Sequence, residues 1–213
     1  ELRVGLIGNR LRVVNYLGVE KYLNSVVGSE MPKSWPLAAL QAQAVAARTY
    51  ALKQLGKKGG FDIRSTQASQ VYLGVESETR STREAVKSTS SLVLLHEGKL
   101  INAVFHSSSG GRTEASGKVW KYQLPYLVSV PDYDHHSPVY QWKKEFEPYQ
   151  LSKAFKEIGG ISKILVTRKS DTGRILLSRA YGPSGEIEIT GKELRRRLGL
   201  KSTLVRFEMI PFA

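Results

Sequence analysis

The apolar and polar residues at the start of the chain first alternate and then change period. Residues 2–17 alternate as two strands would, with a turn at Gly8 and Asn9, and this predicts a β-hairpin. From residue 19 onward the apolar positions lie three and four residues apart, which is the spacing of one helix face. We therefore expect a short helix that ends at or just before Pro32.

A second helix is predicted immediately afterwards, and it is unusually rich in alanine. Ser34 is expected to cap its N-terminus, Pro36 to lie in its first turn, and Gly56 to terminate it after Leu55. Small side chains let other elements approach a helix backbone closely, so we expect this helix to be central and well buried. Its alanines are Ala38, Ala39, Ala42, Ala44, Ala46, Ala47 and Ala51.

Short strands and helices then follow without a strict βαβ alternation. Strands are predicted at residues 92–95, 99–106, 161–169, 174–181, 186–189 and 205–209, and helices at 81–88, 148–158 and 190–198. This mixture predicts an α+β fold with antiparallel strands and a central Ala-rich helix, and it allows two lobes around a cleft. We treat residues 1–213 as one domain, with a lobe boundary expected near residues 145–160.

Composition excludes several classes of protein. The 213 residues are 41% hydrophobic and 24% charged, as in a folded globular protein, and no apolar run approaches the ~20 residues of a membrane span. Because the chain has no cysteine, disulfides, thiolate nucleophiles and Cys-ligated metals are excluded. The sequence opens at Glu1 on a strand-like run, so we expect any signal or anchor to be absent from this fragment.

The charge of the chain is strongly basic and unevenly spread. Lys and Arg number 32 against 19 Asp and Glu, a net charge of +13, and residues 150–213 contain 13 basic and 6 acidic side chains. No basic run exceeds the three arginines at 195–197, and no nucleic-acid-binding motif is present. We predict no specific nucleic-acid partner and interpret the charge as a solvated surface with weak attraction to polyanions.

A single carboxylate stands at the junction of the two predicted helices. Glu30 precedes Pro32 and has Val27, Met31 and Trp35 as its apolar neighbours in sequence. An apolar environment disfavours the charged form of a carboxyl group, which suits a general acid. The alternative is a solvent-facing glutamate in a turn. We find no equally well-placed second carboxylate for the two-carboxylate pattern of glycosidases.

Arg48 lies in the middle of the Ala-rich helix, where a buried arginine needs a carboxylate or another anion as its partner. One interpretation is an ion pair, or a clamp on backbone carbonyls, that holds a loop. The other is that Arg48 orients the site, through Glu30 itself or by binding substrate.

A Ser- and Gly-rich loop follows the strand predicted at 99–106. It combines an imidazole, hydroxyl groups and exposed backbone amides in the order His106, Ser107, Ser108, Ser109, Gly110 and Gly111. Adjacent residues of an extended chain point to opposite faces and no Gly-x-Ser-x-Gly elbow is present, so hydrogen bonding to sugar hydroxyl or acetamido groups is favoured over a serine nucleophile. His135 and His136, with Asp132 and Asp134, are a weak metal signal that we interpret as a surface loop.

Several motifs together resemble the stage II sporulation protein D / LytB amidase-enhancer family, over essentially the whole chain. The most specific are the Glu-Met-Pro motif at 30–32 and the Ala-rich helix motif at 34–51. Further matching segments are residues 22–23, 26–29, 69–74, 107–113, 125–127, 170–174 and 190–200.

The resemblance implies a lytic transglycosylase that cleaves the β-1,4 bond between N-acetylmuramic acid and N-acetylglucosamine in glycan strands stripped of stem peptides. Glu30 matches the family's catalytic glutamate. It would protonate the leaving oxygen and then accept the proton of the muramic 6-hydroxyl, which closes a 1,6-anhydro ring, so one carboxyl group suffices. The LytB side of the family implies the alternative, a non-catalytic wall-binding module that enhances an N-acetylmuramoyl-L-alanine amidase.

The resemblance and the residue chemistry together give a set of expected substrate-binding residues. They are Arg48, Gln70, Tyr72, His106, Ser107, Ser108, Ser109, Gly110, Thr113 and Trp120. Among the aromatic residues, Trp35, Tyr72 and Trp120 are expected to stack on sugar rings near Glu30, with a role in the core as the alternative.

Some relatives in this family bind zinc through Cys and His before the Gln-Val-Tyr motif, whereas residues 64–69 here read Arg-Ser-Thr-Gln-Ala-Ser. We therefore predict no metal at that position and no cofactor. The resemblance also implies a protein of the cell wall or periplasm, with glycan strands and an amidase as its partners, and we expect a monomer.

Overall fold

The computed structural model describes residues 1–56 and 59–209. It has a mixed α+β fold with antiparallel strands, which confirms the predicted fold class. The chain divides into two compact units, Glu1–Phe105 and His106–Ala213. The division falls about 40 residues earlier than the lobe boundary that we expected near 145–160, because residues 106–142 pack with the last third of the chain. No helix in the described part is long and apolar enough to cross a membrane.

The first unit consists of a hairpin, three helices and a short strand pair. In chain order these are β1 (Leu2–Ile7), β2 (Arg10–Asn15), α1 (Val19–Glu30), α2 (Leu37–Gln54), α3 (Arg80–Ser88), β3 (Leu95–His96) and β4 (Lys99–Leu100). β1 pairs with β2 and β3 with β4, both antiparallel. The hairpin and the first two helices therefore form where the apolar spacing predicted them.

The core of the first unit lies among its three helices. It consists of Leu23, Val26, Val27, Leu40, Ala44, Ala47, Ala85 and Val86, each no more than 2% exposed. Three of these residues come from α1 and three from the Ala-rich α2, whose alanines allow α1 and α3 to pack closely on it. The last turn of α1, which ends in Glu30, is thus held by a packed core.

The C-terminal half of α1 also binds the segment that precedes α3. A Cβ on Gly28 would lie 2.0 Å from the carbonyl oxygen of Ser77, so no larger residue fits there without movement of the backbone. Three residues before it, Ser25 Oγ accepts hydrogen bonds from the backbone N–H groups of Leu73 (3.2 Å) and Gly74 (2.9 Å). Residues 73–77 are therefore fixed against α1.

The second unit is built on a three-stranded antiparallel sheet. Its elements are α4 (Ser116–Val119), α5 (Pro148–Ala154), β5 (Lys163–Lys169), β6 (Ile175–Gly182), β7 (Gly185–Thr190) and α6 (Gly191–Leu198), with strand order β5-β6-β7. Its core, separate from the first, consists of Phe155, Ile158, Ile175, Ala180, Ile189, Leu194, Leu198 and Leu200. Residues 106–142 are mostly irregular, as their Pro- and Gly-rich sequence predicted.

Three predicted strands differ from the structure. The pair predicted at 92–95 and 99–106 shortens to β3 and β4, because Val104 N–H donates to the Asn102 carbonyl in a tight turn that interrupts the extended chain. Residues 205–209 were expected to form a strand, and the structure has none there. Val205 and Phe207 instead pack their apolar side chains against the second core, which accounts for the alternation.

Two helix starts also differ by a few residues. Pro36, not Ser34, is the N-cap of α2, and no side chain caps that end. α3 begins at Arg80, one residue before the predicted start, because Thr79 caps it in a reciprocal pair with Thr82. Both corrections concern residues next to the predicted boundary and leave the helix faces unchanged.

Candidate functional site

Glu30 is the last residue of α1 and is held by one well-defined contact. The backbone N–H of Val71 donates a hydrogen bond to Glu30 Oε1 over 2.6 Å. The side chain is half-buried, so one side of the carboxyl group faces protein and the other remains accessible. A hydrogen bond from a fixed backbone amide orients the carboxyl group without neutralising it.

The amide that binds Glu30 is itself fixed by the residue before it. Gln70 is fully buried, and its Oε1 accepts a hydrogen bond from Tyr22 Oη at 3.0 Å while its Nε2 donates to the Ala47 carbonyl at 3.2 Å. One side chain thus joins α1 and α2 to the segment that contains Val71. We had expected Gln70 to bind substrate, and the structure corrects this because both ends of its amide are occupied inside the protein.

Two tyrosines stack beside this network. The rings of Tyr22 and Tyr72 lie 5.5 Å apart and 16° from parallel, and Asn15 Nδ2 donates to Tyr72 Oη at 3.2 Å. Burial raises the pKa of Tyr22, and the charges of Tyr50, Glu30 and Tyr72 raise it further. Tyr22 is therefore a neutral hydrogen-bond donor across the physiological range. Tyr72 packs against the first core yet stays partly exposed, so it fits both roles that the sequence allowed.

The Arg48 guanidinium is paired with groups inside the protein. It is 1% exposed, and its Nε and Nη2 donate to the two carboxylate oxygens of Glu20, each at 2.8 Å. Its remaining hydrogen bonds go to the carbonyls of Leu92 and Val86, both at 3.2 Å. The partner is Glu20 and not Glu30, so the structure replaces the expected role in substrate binding by an ion pair that holds the chain after α3.

The Ser- and Gly-rich loop of the second unit is organised by a carboxylate that we had not assigned to it. Asp134 accepts hydrogen bonds from Ser108 Oγ and from the backbone N–H groups of Ser109 (2.7 Å), Gly110 (2.9 Å) and Gly111 (2.8 Å). Both glycines have positive φ, 76° and 97°, which turns three successive N–H groups toward one point.

Asp134 therefore occupies the amides that we expected sugar groups to bind. Burial by itself would raise the pKa of this carboxyl, but the hydrogen bonds from Ser108 and from Gly110, Gly111 and Ser109 outweigh it and hold the pKa of Asp134 well below its ordinary value. Ser109 and Gly110 are thus corrected from substrate-binding to structural residues. The hydroxyl of Ser107 and the imidazole of His106 remain exposed at the start of the loop.

A second carboxylate braces the same loop from its other end. Glu114 accepts hydrogen bonds from the hydroxyls of Ser170 and Thr172, and Arg174 donates to the carbonyls of Ser109 and Arg112. Burial opposes the charge on Glu114, but these hydroxyl bonds together with Ala115 N–H and Arg174 lower its pKa. The sequence indicated residues 170–174 only as a segment that matches the family. In the structure Arg174 joins this segment to residues 107–113, which also match the family.

The remaining expected site residues lie in the second unit with different exposure. Thr113 Oγ1 accepts the Val130 N–H at 2.9 Å and so serves the loop fold, whereas the indole of Trp120 is 50% exposed and available to a ligand. His135 and His136 are exposed neighbours whose rings lie 4.0 Å apart. Among residues 1–56 and 59–209, no group of three or more His, Asp or Glu side chains could hold a metal ion.

Comparison with known families matches the part of the chain that contains the Glu-Met-Pro motif and the Ala-rich helix. Residues 8–96 match the family model described as stage II sporulation protein (SpoIID), a segment that includes Glu30, Gln70 and both helices of the motif. This match confirms the resemblance to the SpoIID family for residues 8–96.

Three curated relatives extend the comparison. The amidase enhancer of Bacillus subtilis (strain 168) is 47% identical over 110 residues, which are 52% of this chain and 15% of the relative. The stage II sporulation protein D of the same strain is 29% identical over 209 residues, and that of Bacillus amyloliquefaciens is 30% identical over 213 residues; each alignment covers 89% of this chain and 60% of the relative. The chain thus spans between about a seventh and three fifths of these relatives.

Proposed function

We propose that this protein is a lytic transglycosylase of peptidoglycan that acts on glycan strands stripped of their stem peptides. Its product would be N-acetylmuramic acid with a 1,6-anhydro ring. The observation that carries the proposal is the Glu30 carboxyl group, half-buried at the end of a packed helix and oriented by the Val71 amide. The family match over residues 8–96 supports it, because it includes the Glu-Met-Pro motif.

The proposed chemistry needs one carboxyl group that changes its protonation state. In its neutral form, Glu30 donates a proton to the glycosidic oxygen as the bond to the muramic C1 breaks. The resulting carboxylate then takes the proton of the muramic 6-hydroxyl, whose oxygen attacks C1 and closes the anhydro ring. The nucleophile belongs to the substrate, and the hydrogen bond from the Val71 N–H keeps the Glu30 carboxyl group oriented.

The direct test incubates the protein with peptide-free glycan strands and measures 1,6-anhydro ends by mass spectrometry. Glu30→Gln keeps the shape of the side chain but cannot exchange the proton, and we expect at least a thousandfold slower release. Glu84→Gln, on an exposed position of α3, is the matched control and should act as wild type. Equal release by wild type and Glu30→Gln would refute the proposal.

A second candidate function is supported by one relative. The protein that is 47% identical over 110 residues is called an amidase enhancer. We propose as the alternative that this chain binds the wall and stimulates an N-acetylmuramoyl-L-alanine amidase without catalysis of its own. In both cases the protein would work outside the cytoplasm, in the cell wall or periplasm.

One experiment separates the two functions. An amidase is assayed on intact wall with added wild type, Glu30→Gln, or a variant in which residues 107–111 are deleted. Stimulation that survives Glu30→Gln and disappears with the loop deletion favours the enhancer. Stimulation that falls in parallel with release of anhydro ends favours the transglycosylase.

A further inference from the structure

A cavity in the second unit lies beside the start of the Ser- and Gly-rich loop. Its volume is about 270 Å³, and it is lined by Ser107, Ser108, Val139, Trp142, Lys201 and Ser202. Ligand pockets of proteins usually begin near ~300 Å³, so this cavity has room for one small ring compound and not for a longer chain.

The walls of this cavity are held in place before any ligand arrives. Ser108 is bound to Asp134, and the half-buried indole of Trp142 packs against the second core. Ser202 Oγ accepts the N–H of Leu204 at 3.0 Å. A pre-formed site of this kind loses little conformational entropy when it binds.

Two polar groups on the cavity wall remain free for a ligand. Within residues 1–56 and 59–209, neither the Ser107 hydroxyl nor the Lys201 ammonium has a hydrogen-bond or ion-pair partner. The Lys201 side chain is exposed. An ammonium group that faces a cavity without a counter-ion attracts a carboxylate or another anion.

The combination of groups specifies the ligand further. An indole face and the Val139 side chain suit the C–H face of a pyranose ring, while serine hydroxyls suit its hydroxyl or acetamido groups. The lone ammonium suits one carboxylate substituent. A neutral sugar would leave Lys201 without a partner, and a simple anion would leave Trp142 uncovered.

We propose that this cavity binds one pyranose that bears a carboxylate, and that Lys201 selects the carboxylate. The inference rests on the proposed function for the identity of that sugar. In glycan strands the residue with this chemistry is N-acetylmuramic acid, whose lactyl carboxylate is free only when the stem peptide has been removed. Lys201 would thereby distinguish stripped from peptide-bearing strands, since an amide in place of the carboxylate has no charge to pair.

The test measures binding of three monosaccharides to the full chain carrying Glu30→Gln, which prevents turnover. The probes are N-acetylmuramic acid, its neutral lactyl methylamide, and N-acetylglucosamine, titrated by calorimetry or NMR. We expect the acid to bind at least tenfold more tightly than either neutral probe. Lys201→Met should abolish that preference, and Ser107→Ala should weaken all three probes by about two- to fivefold.

Matched controls identify the cause of any change. Lys163→Met removes an exposed lysine of the same unit that does not line the cavity, and it should leave all three affinities unchanged. Circular dichroism verifies that each variant folds. Equal affinity for the acid and its amide, an unchanged preference in Lys201→Met, or displacement of the sugar by an equal concentration of inorganic phosphate would each overturn the inference.

The proposed function and this inference can fail separately. If wild type releases no anhydro ends but Lys201-dependent binding of the muramic acid persists, only the catalytic proposal fails. If anhydro ends are released at the same rate from strands with free and with amidated lactyl groups by both wild type and Lys201→Met, only the selection by Lys201 fails.

Discussion

The two units of this protein position their polar groups in opposite ways. In the first unit, buried side chains hold backbone carbonyls: the Gln70 amide donates to Ala47, and the Arg48 guanidinium donates to Leu92. In the second unit, carboxylates hold N–H and hydroxyl groups: Asp134 binds the Ser- and Gly-rich loop, and Glu114 binds the hydroxyls of Ser170 and Thr172. The first arrangement leaves one carboxyl group, Glu30, partly free, whereas the second uses its carboxylates and leaves hydroxyls and an ammonium free.

The difference between the two units indicates which polar groups of the protein a ligand can bind. An unpaired buried polar group costs free energy, and the buried amide of Gln70 and the buried guanidinium of Arg48 are both paired inside the protein. The groups left for chemistry are those that the framework holds but does not satisfy. They include Glu30 and Tyr72 in the first unit and His106, Ser107, Trp120 and Lys201 in the second.

The largest expected effect comes from the ion pair of the first unit. Arg48→Met leaves Glu20 and the carbonyls of Leu92 and Val86 without their donor, and we expect a loss of about 3 kcal/mol in the free energy of unfolding. Urea denaturation measures it. Arg83→Met, which breaks an exposed 3.5 Å pair with Glu78, is the control and should cost less than ~1 kcal/mol. Equal losses would mean that burial does not distinguish the two arginines.

The next effect tests the close approach of α1 to the turn before α3. Gly28→Ala places a methyl group 2.0 Å from the Ser77 carbonyl, so the two segments must separate, at a cost of about 2–3 kcal/mol. Because Glu30 follows two residues later, release of anhydro ends should fall more than substrate binding. Gly5→Ala, on an exposed position of β1 with no atom within 4 Å of the added methyl group, is the control and should lower neither stability nor activity. A stable and fully active Gly28→Ala protein would contradict the packing described.

The corresponding prediction for the second unit is smaller and depends on pH. Asp134→Asn removes charge-assisted hydrogen bonds to the loop and should cost about 1–2 kcal/mol near neutral pH. Since the folded state lowers the pKa of Asp134, this stabilisation is fully present above the unfolded pKa of ~3.9 and is lost as pH falls through the folded value.

Unfolding measured from pH 7 to pH 2 checks this dependence. The stability difference between wild type and Asp134→Asn should stay constant down to about pH 4 and then shrink with further acid. Asp132→Asn, two residues earlier and without side-chain bonds to the loop amides, provides the control. A difference that grows in acid would show that the charged form of Asp134 is not the one the loop stabilises.

The smallest effect on stability is expected from an exposed indole. Trp120 is 50% exposed, so Trp120→Ala should change the free energy of unfolding by less than ~1 kcal/mol. If it stacks on sugar, affinity for glycan strands should fall severalfold in the same variant. A loss of stability with unchanged glycan binding would instead assign Trp120 to the core.

The sequence predicted the elements of this fold better than the contacts of its polar residues. Apolar spacing located α1, α2 and the strands β5 to β7, since these faces are buried in the two cores. It failed at residues 99–106 and 205–209, where alternation serves packing without a ladder of hydrogen bonds. Alternation of apolar and polar residues indicates which face of an extended segment is buried. It does not indicate whether a neighbouring strand is present to pair with that segment.

For the site, the sequence indicated the residues but not their partners. Glu30 was predicted from its apolar context and stays a prediction, while Arg48 and Gln70 were expected at the substrate and proved to be internal. Asp134 was missed because 23 to 26 residues separate it from the loop that it binds, and pairing over that separation leaves no local pattern. The nearest signal was the pair of glycines in the loop, which predicts an anion-binding turn without naming the anion.

The hydrogen bond between the Val71 amide and Glu30 gives an NMR signal that can report on the carboxyl group. A backbone amide that donates to a carboxylate has a proton resonance shifted by that bond, and the resonance moves when the acceptor is protonated or takes a new partner. The Val71 signal in a nitrogen–proton correlation spectrum would therefore report the state of Glu30 without any label or mutation in the site. Ligand titrations and pH series could then be followed at the one atom pair where the proposed reaction begins.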